Sequence, residues 1–119
     1  MISLKDYMAV GLDPHKVTFV LQSAVPELFE IGAYLHNLIT VAQVERNPTV
    51  RAEIKQKSMQ RDIPLGFFCY PVAQAADIIG LGSGVVPVGE DQLPMIETTN
   101  LLINRLNARS SYVFQRCVP

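Results

Sequence analysis

The alternation of apolar and polar positions predicts a chain of helices interrupted by two short strands. Continuous apolar runs at 17–21 and 85–88 are typical of strands that are buried in a parallel sheet. Polar side chains follow each run, namely Gln22-Ser23 and the segment 89–92. Because ligands of open α/β sheets lie just outside the carboxyl ends of the strands, these polar groups predict a small-molecule site.

The rest of the chain carries helix signals. A polar stretch at 40–63 indicates one or two exposed helices with a break at Asn47-Pro48. Residues 64–68 are apolar again and indicate the start of a buried segment. Glycines are expected to end the helix that follows this segment. The helices predicted from apolar spacing and capping signals cover residues 3–10, 27–39, about 70–81 and about 91–106.

This order of elements favours an α/β fold, in which helices flank a parallel sheet. Two strands do not make a stable sheet alone. Either strands escape the pattern, or the sheet is incomplete in this chain and needs further polypeptide. We expect one domain over residues 1–107 and an irregular tail over 108–119, where no period is visible.

Composition excludes several classes of protein. The 119 residues are 49% hydrophobic and 18% charged, as in a globular domain, and a net charge of -1 gives no footprint for nucleic acid. Cys69 and Cys117 lie far apart without metal-ligand spacing, which favours reduced thiols in a cytoplasmic protein and no metal site. No signal peptide and no membrane span is expected.

Tyr70, Gln74 and Asp77 form one candidate binding segment. A carboxylate between Ala75-Ala76 and Ile78-Ile79 is costly unless it meets a donor, so Asp77 either accepts a ligand N–H or pairs with a neighbouring helix. Gln74 can donate and accept a hydrogen bond, as an amide in a site or on the surface. Tyr70 can pack its ring while its hydroxyl reaches a ligand.

The second candidate segment is 86–92. Gln92 offers a further amide, and Gly89 either lets a ligand approach the backbone or forms the turn before a helix. Glu90 and Asp91 either complement the dipole of that helix or hold ribose hydroxyls. No nucleophile–base set and no Walker-type loop is visible, so the chain offers binding groups and no catalytic side chain.

A basic cluster interrupts the polar stretch and is interleaved with acidic side chains. We interpret it as a solvated helix face, and contact with phosphates or a partner subunit is the alternative. Its residues are Arg46, Arg51, Lys55, Lys57 and Arg61, mixed with Glu45, Glu53 and Asp62.

Taken together, four segments resemble bacterial-type tryptophanyl-tRNA synthetases. DYMAVGLDPHKVTFVLQSAVPE, ERNPTVRAEIK, YPVAQAADI and VPVGEDQ occur here in the order of that family. The resemblance covers roughly residues 5–107, and it corresponds to the central part of a class I catalytic domain with a Rossmann-like nucleotide-binding fold. The related tyrosyl enzymes usually carry other polar residues at the positions of Asp77 and Gln92.

The resemblance implies a role for each candidate residue. Asp77 is expected to accept the indole N–H of tryptophan, and Tyr70 and Gln92 to bind its α-amino group. Val86 and Val88 are expected to line the indole pocket, and Gln74, where many members carry Met, to form a polar wall. Contacts with ATP and the adenylate are expected from Gly89, Glu90 and Asp91, with Asp91 nearest the ribose.

The activity implied is ATP-dependent activation of L-tryptophan and transfer to tRNA(Trp), with Mg²⁺ accompanying ATP, in a homodimer. The His-containing and the Lys- and Ser-rich ATP motifs of the family do not occur in this sequence, so we expect the isolated chain to be inactive. Two other hypotheses stay open. One is a non-catalytic module that binds tryptophan or an indole, and the other is a dimerisation piece derived from the same fold.

Overall fold

The computed structural model describes residues 4–59 and 62–119. Ser3, in the first predicted helix, and Arg61, in the basic cluster, lie outside these residues. Within them, six α-helices and two short 3-10 turns follow one another. The helices are α1 (Leu4–Ala9), α2 (Glu27–His36), α3 (Val41–Arg46), α4 (Pro48–Gln56), α5 (Leu65–Gly80) and α6 (Leu93–Asn107), and the turns are Gln22–Ala24 and Glu90–Gln92.

Helix α5 is the centre of the fold, with α2 and α6 packed against it. Small residues allow the close approach of α2, since a Cβ added at Gly80 would lie 2.6 Å from a methyl group of Leu28. At Gly32 the corresponding distance to the Cβ of Ala76 is 3.7 Å. Burial of apolar surface on both sides of α5 is the main force that holds this layer together. The main core cluster comprises Leu35, Val72, Ala75, Ala76, Ile79, Leu102 and Ile103.

The predicted break at Asn47-Pro48 is confirmed, and the Asn47 side chain explains it. Asn47 ends α3 and caps α4, because its Oδ1 accepts from the backbone N–H groups of Thr49 at 2.9 Å and Val50 at 3.4 Å. Pro48 at the first position of α4 has no N–H to satisfy, which suits it to a helix start. The basic side chains of α3 and α4 are exposed, in agreement with a solvated face.

Thr40 begins α3 with a capping box. Its hydroxyl accepts from the backbone N–H of Gln43 at 3.3 Å, and Oε1 of Gln43 accepts from the N–H of Thr40 at 3.1 Å. The same Oε1 accepts from Arg105 at 3.0 Å, so the cap also ties α3 to α6.

Replacing Thr40 by Ala is expected to lower the free energy of unfolding by about 1 kcal/mol, the usual cost of losing a helix N-cap. Chemical denaturation followed by circular dichroism would measure the difference. Thr18→Ala, at an exposed threonine outside the helices, is the control. Equal stabilities of the two variants would show that the capping box does not support the fold.

The expectation of two buried strands is wrong for the described residues, which contain no strand. Residues 17–21 join no ladder, and Leu21 is 71% exposed. Val85 forms a single parallel bridge with Val118, and Val85 is 67% exposed. A parallel strand needs a partner brought by a distant crossover, and residues 4–59 and 62–119 supply only this bridge. The parallel sheet of the expected α/β fold is therefore not seen here.

One helix boundary differs from the prediction. Helix α5 begins at Leu65 and not near residue 70. The predicted buried segment 64–68 is largely the exposed first turn of this helix, and Leu65 is 76% exposed. The tail 108–119 is irregular but packed, because Asn100 exchanges hydrogen bonds with the backbone of Cys117 at 2.8 and 3.0 Å. Among the described residues, no helix combines the length and apolar character needed to cross a bilayer.

Candidate functional site

The face of α5 that carries Tyr70, Gln74 and Asp77 positions the first set of candidate residues. Their spacing of four and three residues places them on one side of a helix. All three are half-buried in the structure. The three residues therefore lie on one side of α5, and the hydrogen-bond partners of Tyr70 and Asp77 belong to different parts of the fold.

Asp77 pairs with Gln22, on the 3-10 turn that follows residues 17–21. Both carboxylate oxygens accept from Nε2 of Gln22, at 3.0 and 2.9 Å. A cavity of about 80 Å³ lies beside this pair, and it is lined by Leu28, Gly32 and Ala73 among others. Ligand pockets are usually larger, about 300–1,000 Å³, so a ligand as large as an indole requires the Gln22 side chain to move or the cavity to open.

Tyr70 lies about two helical turns before Asp77 and faces α4. Its hydroxyl donates to Oε1 of Glu53 at 3.2 Å. Burial, the negative charge of Glu53 and this hydrogen bond together raise the pKa of Tyr70 to about 12. The hydroxyl therefore stays protonated at neutral pH, which makes Tyr70 a binding group and not a base.

Val86 and Val88 do not line the cavity beside Asp77. They are partly buried against a separate cluster formed by Ile78, Ile96 and Cys117. Ile78 follows Asp77 in α5, so the two valines flank the same end of the helix from the side of α6. The structure thus places the expected indole-lining residues near Asp77 in the fold, but without a cavity that joins them among the described residues.

The segment 89–92 forms the turn before α6. Nε2 of Gln92 donates to Oδ2 of Asp91 at 2.9 Å, and the Thr49 hydroxyl donates to the backbone oxygen of Asp91 at 2.6 Å. A Cβ added at Gly89 would lie 2.8 Å from Oδ1 of Asp91, so the carboxylate occupies the space that a side chain would need. A cavity of about 620 Å³ opens between this turn and α4, bordered by Glu53, Glu90 and Asp91.

Sequence reasoning missed two partners of the candidate residues. Gln22 was visible as a polar residue at the end of an apolar run, but nothing local connects it to Asp77, 55 positions away. The sequence pattern places Glu53 on a solvated helix face. Because Glu53 lies 17 residues before Tyr70 and in another helix, no helical periodicity indicates that the two side chains meet. Among the described residues, no group of three or more acidic, His or Cys side chains could hold a metal ion.

Comparison with known proteins gives the class. The family model of class I tRNA synthetases for tryptophan and tyrosine (W and Y) matches residues 1–119. The chain is 54% identical over 102 residues to a tryptophan–tRNA ligase of Clostridium longisporum, which covers 86% of the chain and 30% of that protein. A tryptophan–tRNA ligase of Streptococcus pneumoniae is 53% identical over the same length and shares of the two chains.

Solved structures agree with the sequence relatives. Tryptophanyl-tRNA synthetase from Campylobacter jejuni, complexed with ADP and tryptophan, superposes with a TM-score of 0.82 at 29% identity, covering 93% of this chain and 34% of that one. The enzyme from Mycoplasma pneumoniae gives a TM-score of 0.79 at 29% identity and the same coverage.

The chain therefore belongs to the class I tRNA synthetase family that comprises the tryptophan and tyrosine enzymes. Within that family, the resemblance to bacterial-type tryptophanyl-tRNA synthetases is confirmed by relatives that carry the name tryptophan–tRNA ligase. The chain spans about a third of the length of these relatives, 30% of the first sequence and 34% of the first structure. The family is one of enzymes with a Rossmann-like fold.

Proposed function

We propose that this chain supplies the amino-acid specificity part of a tryptophan–tRNA ligase. The observation that carries the proposal is the contact of Asp77 with an amide N–H of Gln22 beside a cavity with apolar walls. An indole N–H is a donor of the same kind. Because an ionised carboxylate has about four acceptor positions, Asp77 can accept an indole N–H beside Gln22 or in its place.

Recognition through Asp77 would also explain selectivity. A buried acceptor that is left without its donor costs free energy, so analogues without the N–H are rejected more strongly than apolar contacts alone allow. Val86 and Val88 supply apolar surface on the other side of Ile78, and Gln74 a polar wall between Tyr70 and Asp77. In this proposal Tyr70 and Gln92 hold the α-amino group.

The reaction of the whole enzyme is attack of the tryptophan carboxylate on the α-phosphate of ATP with release of pyrophosphate. The terminal ribose of tRNA(Trp) then takes the aminoacyl group from the adenylate, and AMP leaves. Such chemistry depends on positioning and charge stabilisation more than on a nucleophilic side chain. Gly89, Glu90 and Asp91 are proposed to meet the nucleotide, with Asp91 nearest the ribose. Residues 1–119 alone are expected to bind tryptophan without forming the adenylate.

Mg²⁺ enters this proposal only as the ion that accompanies ATP. The described residues offer no cluster of three ligands for it. Enzymes usually bind Mg²⁺ through the substrate phosphates and one or two carboxylates, so binding of the ion with ATP does not require such a cluster. A homodimer in the cytoplasm is proposed with the same function. One observation favours the alternative of a dimerisation piece, namely that Phe29 and Tyr34 on α2 are each 65% exposed.

Binding of tryptophan to the purified chain tests the proposal. The chain has no Trp, so the fluorescence of added tryptophan reports binding without background. We expect a saturable change with L-tryptophan that an excess of L-histidine does not reverse. If a chain shown to be folded by circular dichroism does not bind tryptophan, the specificity site is not contained in residues 1–119, and self-association becomes the better supported function.

A further inference from the structure

We infer that Glu53 is a positioning residue of the tryptophan site, because it accepts the hydrogen bond of the Tyr70 hydroxyl and so leaves the phenol oxygen free to accept from the α-ammonium group. This inference deepens the proposed function and rests on it. Neither the sequence pattern nor the resemblance assigns a role to Glu53.

Three side chains, Glu53, Lys57 and Phe67, surround Tyr70. Together with Tyr70 they form what we call the Tyr70 clamp. Oε1 of Glu53 accepts from the Tyr70 hydroxyl at 3.2 Å, while Oε2 lies 3.3 Å from Nζ of Lys57. Lys57 is also 5.3 Å above the ring of Phe67. Phe67 meets Tyr70 edge to face, with ring centroids 5.4 Å apart. The contacts therefore close into a ring.

The direction of the hydrogen bond decides what Tyr70 offers to a ligand. A phenol hydroxyl has one proton to donate and two lone pairs to accept with, whereas an ionised carboxylate can only accept. The proton of Tyr70 must therefore point at Glu53. What remains of the hydroxyl is acceptor capacity, which suits an ammonium group with three N–H donors and disfavours a carboxylate.

The surroundings of Glu53 strengthen this preference. Glu53 borders a cavity of about 620 Å³ together with Glu90 and Asp91, and Lys57 also lines it, so three carboxylates and one ammonium group surround this space. The Glu53 side chain is only 30% exposed, which limits the screening of its charge by water. The raised pKa of Tyr70, about 12, is consistent with a hydroxyl that keeps its proton and donates it to Glu53 as a hydrogen bond throughout the physiological range.

Binding of two ligands tests the inference. L-tryptophan and indole-3-propionate share the indole and the carboxylate, but only tryptophan has the ammonium group. In Glu53→Gln we expect the preference for tryptophan over indole-3-propionate to fall about tenfold, because the amide can donate to the Tyr70 oxygen and the negative charge near the ammonium group is lost. Glu45→Gln makes the same change of charge on the exposed face of α3 and is the matched control, with the preference unchanged.

A second measurement needs no ligand. Carbon-13 NMR of labelled tyrosines follows the ionisation of Tyr70. In the unchanged chain the pKa of Tyr70 should lie well above its ordinary value, and in Glu53→Gln it should fall. Burial remains in the variant, so the shift is partial.

The outcomes separate the inference from the proposed function. Tryptophan binding by the unchanged chain, with equal losses of both ligands or no loss in Glu53→Gln, would overturn the role of Glu53 and leave the proposed function intact. An unmoved Tyr70 titration would overturn the pairing itself. If the folded, unchanged chain binds neither ligand, the proposed function fails and the role of Glu53 fails with it.

Discussion

Replacing Asp77 by Asn should weaken tryptophan binding by about 10- to 100-fold. Asn keeps the shape of the side chain but removes its charge, and a hydrogen bond to a charged acceptor is worth about 1.5–3 kcal/mol. The amide introduced by this substitution keeps a single acceptor oxygen, for which the Gln22 amide and the indole N–H, both donors, would compete. Titration of tryptophan fluorescence with the variant and the unchanged chain gives the ratio directly.

An analogue with sulfur in place of the indole N–H separates this hydrogen bond from general damage to the pocket. The unchanged chain should prefer tryptophan to the sulfur analogue, and Asp77→Asn should bind the two with nearly equal affinity. Asp62→Asn, at an exposed carboxylate, should retain the preference. A preference for tryptophan that survives in Asp77→Asn would show that Asp77 does not accept the indole N–H.

The second large effect is expected at Asn47, where substitution by Ala should lower the free energy of unfolding by about 2–4 kcal/mol. Asn47 is only 7% exposed. Besides capping α4, its Nδ2 donates to the backbone oxygen of Pro94 at 2.9 Å and to the hydroxyl of Thr98 at 3.0 Å. Alanine removes the helix cap and both links to α6 at once, and it leaves buried polar groups without partners.

Urea denaturation of the variant and the unchanged chain measures this difference. Asn104→Ala is the matched control, because Asn104 lies on the exposed side of α6 and its loss should cost well under about 1 kcal/mol. Equal midpoints for the two variants would mean that the contact between α4 and α6 contributes little. Because α4 also carries Glu53, the variant should weaken the Tyr70 clamp as well.

The helices could be predicted from sequence because their signals are local. Apolar spacing located α2 and α6 to within three residues and the end of α5 to within one, while the start of α5 lies five residues before the predicted one. Asn47-Pro48 marked the break between α3 and α4 correctly. The face of α5 that holds Tyr70 and Asp77 follows from the same period. These features depend on residues that are close in the chain, where side-chain chemistry and backbone geometry are directly linked.

The sequence did not reveal that the two apolar runs form no strands, nor which side chains pair with the candidate residues. Both outcomes depend on residues that are distant in the chain. The apolar runs at 17–21 and 85–88 are typical of buried strands, yet a strand exists only when a partner backbone accepts its hydrogen bonds. Gln22 and Glu53 reach the site through packing of the turn at 22–24 and of α4 against α5. The basic pattern around Glu53 describes an exposed face correctly and gives no sign that one carboxylate of that face turns inward.

Because Tyr70 and Asp77 stand on one helix, α5 fixes the spacing of their backbone positions. They are seven positions apart, which corresponds to about 10.5 Å along the helix axis. In the proposed site the indole N–H and the α-ammonium group of one tryptophan lie closer together than this, so the two side chains must lean toward each other to hold it. A single residue inserted between the two positions would turn Asp77 away by about 100° and separate the two side chains.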